Sequence, residues 1–195
     1  MWNPRIVRFR AAESPELMAQ AWRLRHRIFR ENLGWDVASV DLLEFDRFDR
    51  DAIHCAAVSG DRLLGYWRAL CTVDPYLLEA SFQGLLEGGT PPKSPDIWEI
   101  SRFAMIADLP KRREVGRLLV REIAAFGHDV HARRLIAVTE PAFERFVRRC
   151  GLPIRRAAGP IDAGRGQNRE VQAVLISFDV NPDSLMSVGI AAEAA

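Results

Sequence analysis

Three stretches in succession decide the fold: IWEISRFA at 97–104, EVGRLLVREIAAFGHDVH at 114–131 and LIAVT at 135–139. The first reads as a strand, the second as an amphipathic helix and the third as a short apolar strand. Toward the C-terminus, Ala142 to Cys150 reads as a helix ended by Gly151 as its C′ residue, and Val171 to Asp179 as a last strand. Toward the N-terminus, His54 to Ser59 and Arg62 to Leu70 read as two strands around the turn Gly60-Asp61. Pro75 to Leu86 is expected to be a helix and Gly88 to Pro95 a loop. Ile6 to Phe9 alternates its faces as a short strand does. Ser14 as N-cap and Pro15 at the first helical position start a helix that runs to about Arg30. Residues 32–52 are polar and irregular, with two acidic clusters. A loop of that length in a small domain is usually functional or disordered. Strands and helices mixed in this order imply an α/β fold, a central mixed sheet flanked by helices.

At 195 residues the chain is long enough for one well-buried domain and hardly for two. A single domain is expected over 1–186. The small, weakly patterned residues 187–195 are expected to be a flexible tail. Apolar content of 48% with 27% charge is that of a soluble globular protein, and a net charge of +1 gives no bulk attraction to nucleic acid. Met1-Trp2-Asn3-Pro4-Arg5 lacks an apolar h-region, so no signal peptide is expected, and no apolar run approaches the length of a membrane span. Cys55, Cys71 and Cys150 are odd in number and widely spaced, which fits a reducing cytoplasm better than a disulfide framework. His26, His54, His128 and His131 form no ligand pattern. His128 and His131 read as a solvated helix end, and no metal site is expected.

The chemistry concentrates in eight residues: Arg25, Phe29, Trp35, Asp46, Asp49, Arg68, Glu99 and Arg102. Three guanidinium groups, three carboxylates and two aromatic rings suit a ligand with a cation, a carboxylate and a flat base. Their frames are Arg25-x-x-x-Phe29, then Trp35, then Glu44-x-Asp46-x-x-Asp49, then Arg68, then Trp98-Glu99-Ile100-Ser101-Arg102-Phe103. Leu33-Gly34-Trp35 and Arg68-x-Leu70-x-Thr72-x-x-Pro75-Tyr76-x-Leu78 extend the pattern. In this order and spacing the chain resembles the acyl-homoserine-lactone synthases, the enzymes of bacterial quorum sensing, over residues 17–180. Cys71 stands where that family often has proline. The element order also resembles the N-acetyltransferase-like (GNAT-like) fold, a three-layer sandwich. The signature of that fold's pyrophosphate-binding loop, Arg/Gln-x-x-Gly-x-Gly/Ala, is met by Arg113 and Gly116 and missed at Leu118. The other reading of this segment is an ordinary basic helix start.

The resemblance implies a cytoplasmic acyltransferase with two substrates and no tightly bound cofactor. S-adenosylmethionine supplies the amine, and a thioester on acyl carrier protein or coenzyme A supplies the acyl chain. Amide formation is followed by lactone closure with release of methylthioadenosine. Arg25, Phe29, Trp35, Asp46, Asp49 and Arg68 are the expected S-adenosylmethionine residues. Phe29 and Trp35 offer π-faces to the sulfonium or the base. Asp46 and Asp49 suit the ammonium, or else clamp Arg25 or Arg68 in a network that shapes the pocket without touching ligand. Glu99 is the candidate general base, directly or through water, or an orienting residue. Glu99 and Arg102 point to opposite faces of their strand unless a bulge intervenes. Arg102 suits a carbonyl, phosphate or carboxylate, and the Phe103 and Ala104 amides suit an oxyanion.

An acyl tunnel is expected among Leu70, Phe82, Leu85, Phe103, Met105, Ile123, Val138, Phe143 and Phe146, a set that overlaps an ordinary core, with Thr139 placed to donate to a 3-oxo group. Among the basic clusters, Arg113, Arg148 and Arg149 are the expected carrier-docking residues, against a solvated-surface reading. No nucleic-acid or membrane partner is expected. The alternatives are another thioester-dependent N-acyltransferase of the same fold and an inactive ligand-binding relative.

Overall fold

The computed structural model describes residues 2–167 and 170–190. Its strands are β1 (Arg5–Phe9), β2 (Ser39–Val40), β3 (Leu43–Glu44), β4 (Ile53–Ser59), β5 (Arg62–Cys71), β6 (Ile97–Met105), β7 (Arg134–Thr139), β8 (Arg155–Arg165) and β9 (Glu170–Asp179). Its α-helices are α1 (Pro15–Arg25), α2 (Leu77–Ser81), α3 (Arg112–Asp129), α4 (Pro141–Arg149) and α5 (Pro182–Ser187). Seven strands form one sheet in the order β1-β4-β5-β6-β7-β9-β8, and β2 and β3 pair as a small hairpin. β1–β4, β4–β5 and β7–β9 are antiparallel and β6–β7 is parallel, so the sheet is mixed, as the element order requires. By contacts the chain clusters into two compact units: residues 1–69, 101–119 and 164–171, and residues 70–100, 120–163 and 172–195.

In the first unit, Met18, Ala21 and Leu24 on α1 share a core with Phe9, Ala56, Val58, Leu63, Tyr66 and Ala104. β4 is buried almost throughout, which explains its continuous apolar run. Gly65 on β5 leaves room for a neighbour: a Cβ there would meet Leu119 Cδ1 at 2.6 Å and Met105 Cγ at 2.9 Å. In the second unit, Trp98 on β6 meets Phe126 on α3 edge-on at 5.3 Å.

Several elements depart from the sequence reading, the β2–β3 hairpin within the expected loop 32–52 among them. The first helix does not continue as α to Arg30. It ends at Arg25 and widens into a π-helix, His26–Asn32, closed by Leu33 N–H donating to Ile28 O at 3.0 Å. Ser14 stands at its N-cap without a side-chain capping bond. The segment Pro75 to Leu86 is two short pieces, α2 and a 3₁₀ turn at Gln83–Leu86. β8 was not expected; its segment contains Gly159, Pro160 and Gly164 and shows no strand-like apolar alternation. It is an edge strand, where proline is tolerated. α5 was also not expected. It is closed by a capping box between Asn181 and Ser184, and Val188 beyond it is buried. Of the expected tail, residues 191–195 lie outside the described residues.

Candidate active site

The first group of candidate residues lies in the first unit and begins with the π-helix. One extra residue per turn re-aims the side chains that follow, and π-turns are frequent at functional sites. Phe29, on that turn, stacks on Trp35 with ring centroids 5.1 Å apart and an interplanar angle of 9°. The Arg102 guanidinium lies 5.7 Å from the Phe29 centroid. Gly34, with φ +66°, makes the turn between them.

Arg25 and Arg68 are fully buried, which demands paired charge. Arg25 Nη1 donates to Asp49 Oδ1 at 2.6 Å, and Arg25 Nε donates to Glu44. Arg68 Nη1 reaches the same Asp49 oxygen at 2.6 Å, its Nη2 donates to Asp46 Oδ2 at 2.7 Å, and its Nε donates to Ser101 Oγ at 3.0 Å. Arg102 Nη2 donates to Asp46 Oδ2 at 3.1 Å and its Nε to Glu44 Oε1 at 3.1 Å. The other Asp49 oxygen accepts from Trp22 Nε1 at 3.1 Å and the Asp46 amide at 3.0 Å. Three arginines thus face three carboxylates, and the cluster is neutral.

This pairing bears on the two readings of the aspartates. Asp49 accepts four hydrogen bonds from the protein, which fills its lone pairs. Asp46 accepts from both Arg68 and Arg102 and from the Phe48 amide. Both carboxylates are engaged by the arginine network. Burial opposes their charge, but Arg25 and Arg68 at Asp49, and Arg68 with Arg102 at Asp46, outweigh it and hold both carboxyls below the usual range. Arg25 Nη2 is buried with no hydrogen-bond partner; Asp46 Oδ2 is 3.8 Å away. Glu44, 1% exposed, and Ser101 were passed over as site residues. The signal for Glu44 was present in the Glu44-x-Asp46-x-x-Asp49 frame.

On β6, Arg102 has φ +56°, a left-handed conformation rare for a side chain of this size. Thr72 N–H bonds Ile97 O at 3.1 Å and Ile106 N–H bonds Leu64 O at 3.0 Å. The step from 97 to 106 is therefore one residue longer than the step from 64 to 72, and β6 carries a bulge. The alternation argument that sent Glu99 and Arg102 to opposite faces does not apply across it.

The second group lies in the second unit. Glu99 is fully buried. Its Oε2 accepts from the Leu77 amide and its Oε1 from the Leu78 amide, both at 2.8 Å. The carboxylate therefore holds the first amides of α2. Of the acyl-tunnel candidates, Leu70, Leu85 and Ile123 are buried in this unit, while Phe82, Val138, Thr139, Phe143 and Phe146 are half-buried. Phe143 and Phe146 meet with centroids 5.5 Å apart. Met105 and Phe103 fall in the first unit, Met105 packed where Gly65 leaves room. Among the docking candidates, Arg148 donates to Glu144 Oε1 at 3.1 Å, and Glu144 also binds Arg156. Arg113 and Arg149 are exposed. Residues 113–118 belong to α3 itself, with Glu114 N–H already bonded to Lys111 O at 2.8 Å, so they form helix where a phosphate loop was considered. Among the described residues no cluster of three His, Cys, Asp or Glu suits a metal, and no helix is long and apolar enough to cross a membrane.

Compared with known proteins, residues 10–187 match the family model described as autoinducer synthase. The chain belongs to the autoinducer synthase family. An acyl-homoserine-lactone synthase of Aeromonas salmonicida is 37% identical over 147 residues, 72% of this chain and 71% of that protein. Among solved structures, the acyl-homoserine-lactone synthase LasI superimposes with a TM-score of 0.85 at 26% identity, covering 99% of both chains. TofI, solved in a ternary complex with an inhibitor and MTA, gives a TM-score of 0.76 at 28% identity and covers 97% of each chain. The fold is therefore the N-acetyltransferase-like one these synthases share.

Proposed function

We propose that the protein is an acyl-homoserine-lactone synthase that joins an acyl group from a thioester to the amine of S-adenosylmethionine and closes the lactone. The observation that carries this reading is the neutral network of Arg25, Arg68 and Arg102 with Glu44, Asp46 and Asp49, in a chain whose curated relatives bear that activity. The network fixes the walls of the S-adenosylmethionine site. Trp35, half-buried on its stack with Phe29, presents an aromatic surface to the sulfonium or the adenine. The unpartnered Arg25 Nη2 leaves one buried donor of the network unused.

The reaction asks for little acid–base power. An α-amine with an ordinary pKa near 8 loses its proton at neutral pH for about 1 kcal/mol. Glu99 takes that proton, directly or through water, while α2 holds its carboxylate in place. Its two oxygens accept the Leu77 and Leu78 amides, one each. The amine attacks the thioester carbonyl. Expulsion of the thiolate leaves the amide. The methionine carboxylate then attacks the carbon bonded to the sulfonium, and methylthioadenosine departs. The half-buried Phe82, Val138, Phe143 and Phe146 are the side chains we assign to the acyl chain, with acyl carrier protein the donor and the cytoplasm the site of action.

Incubation with S-adenosylmethionine and a panel of acyl thioesters, read by mass spectrometry, tests the reading. Methylthioadenosine and acyl-homoserine lactone are expected to appear together and only when a thioester is present. Acylated product without lactone overturns it.

A further inference from the structure

His54 on β4 is a fully buried histidine beside the Asp49 clamp. Its Nε2 lies 2.8 Å from the Asp49 carbonyl oxygen and its Nδ1 2.6 Å from the Tyr66 hydroxyl. A carbonyl oxygen can only accept, so Nε2 carries the proton. Nδ1 then offers a lone pair, and the Tyr66 hydroxyl donates to it. Tyr66 is itself fully buried, and the Arg25 guanidinium carbon lies 5.9 Å from its ring centroid. Arg25 Nη1 returns to the Asp49 carboxylate at 2.6 Å. Asp49, His54, Tyr66 and Arg25 thus form a closed circuit. Phe9 on β1 stacks against the imidazole at 5.4 Å. The titratable and charged groups around the ring are Asp49, Arg25, Arg68 and Tyr66.

The circuit gives Asp49 two attachments. Its carboxylate is drawn by Arg25 and Arg68, and its main-chain carbonyl is held from the opposite end by His54. The carboxylate bonds restrain the Asp49 side-chain torsions, and the His54 bond restrains the backbone from which they start. We propose that His54, set in its tautomer by Tyr66, is a positioning residue for the S-adenosylmethionine half of the site, acting by fixing Asp49 and through it the Arg25–Arg68 pair. This rests on the proposed function, in which that network forms the walls for S-adenosylmethionine.

Glutamine and asparagine separate the two bonds of the imidazole. Glutamine sets an amide nitrogen near the place of Nε2 and keeps the bond to the Asp49 carbonyl. Asparagine sets its amide near the place of Nδ1, keeps the contact with Tyr66 and loses the carbonyl. Steady-state kinetics with S-adenosylmethionine and one acyl thioester varied in turn should show His54→Asn raising the S-adenosylmethionine KM about fivefold or more, with the acyl-donor KM within about twofold. His54→Gln should return the S-adenosylmethionine KM to within about twofold of wild type. A purely architectural histidine would lower the melting temperature in both variants and leave both KM values unmoved, and that result overturns the proposal. Equal rises for the two substrates overturn it as well. A readout independent of turnover is nitrogen-15 NMR of the imidazole at neutral pH. It should show a protonated Nε2 and a bare Nδ1, with the Nδ1 resonance moved in Tyr66→Phe; the opposite tautomer or a charged ring overturns the proposal even if His54→Asn does not fold. Wild-type protein that turns over no acyl thioester with S-adenosylmethionine overturns the function. Wild-type turnover with an unmoved His54→Asn KM overturns the positioning role alone.

Discussion

Asp49 is a carboxylate whose lone pairs the protein itself has filled, and Glu99 is one that holds the Leu77 and Leu78 amides. The proposed roles divide the same way at the residue scale, Asp49 in the arginine network and Glu99 in proton transfer. The types and spacing of Arg25, Asp46, Asp49, Arg68, Glu99 and Arg102 were legible in the sequence; their pairing was not, because a spacing of three between aspartates does not say which arginine comes between them. Ser101 looks ordinary until Arg68 Nε donates to its hydroxyl at 3.0 Å. Glu99→Gln tests the chemical half. A glutamine side chain accepts one of the two α2 amides and turns its own donors on the other. A stability loss of about 1–3 kcal/mol is therefore expected by thermal melting. Loss of a general base costs roughly 10²–10⁴ in rate, so kcat should fall by that factor while calorimetry shows S-adenosylmethionine still bound. Turnover near wild type removes Glu99 from proton transfer. His54 makes a pH prediction. Burial, helped by Arg25 and Arg68, lowers its pKa from 6.5 to about 4, against the pull of Asp49. As pH falls from about 6.5 toward 4, the unfolded chain takes up a proton that the folded chain refuses, so stability declines across that window. The loss attributable to this one group is on the order of 3 kcal/mol at pH 4. Urea titrations of His54→Gln should show a flatter stability profile between those pH values; an unchanged slope refutes the assignment.

At the scale of elements, periodicity identified what periodicity can identify. β4, β5, β6, β7, α3 and α4 follow apolar patterns that a single face or a buried strand imposes. The misses have local causes. The π-turn after Arg25 leaves the apolar spacing nearly helical, so it reads as more α-helix. β8 carries charge, glycine and proline because it is an edge, and those residues are what a loop also carries. The loop 33–35 is fixed by a contact that only glycine permits. Gly34 has φ +66°, and a Cβ there would meet the Gln167 backbone nitrogen at 2.4 Å and Cα at 2.7 Å, while Gln167 N–H donates to Leu33 O at 3.0 Å. Gly34→Ala adds left-handed strain to a backbone clash. A loss of about 2 kcal/mol or more is expected on denaturation, with a raised S-adenosylmethionine KM because Trp35 is the next residue. A variant as stable as wild type would show that this loop yields without cost.

For the whole molecule, a net charge of +1 conceals local bias, since arginine is the dominant cation and recurs along α3 and α4. The question that bias bears on is the acyl carrier. Acyl carrier protein is an acidic surface; coenzyme A is a compact set of phosphates. The structure changes which arginines can answer. Arg148 holds the buried Glu144 together with Arg156, so reversing it would bring carboxylates together and destabilise α4 whatever the carrier. Arg145 and Arg149 are exposed on the same helix and suit charge reversal better. With a protein carrier, Arg145→Glu combined with Arg149→Glu should raise the acyl-donor KM several-fold at low salt, and by less as salt rises, because exposed charges are screened within about 10 Å at 0.1 M. The S-adenosylmethionine KM should not move. Coenzyme A thioesters of the same acyl group should then be poor substrates for wild type and indifferent to the change. With coenzyme A as carrier the pattern reverses, and Arg113→Ala at the start of α3 becomes the damaging variant. The segment 113–118 is helix, with the Glu114 and Val115 amides already bonded to Lys111 O, so those two are not offered to a pyrophosphate; the protein carrier is the expectation under test. Efficient wild-type turnover of an acyl-coenzyme A, with none of the acyl carrier protein thioester, refutes that preference and leaves the synthase chemistry standing.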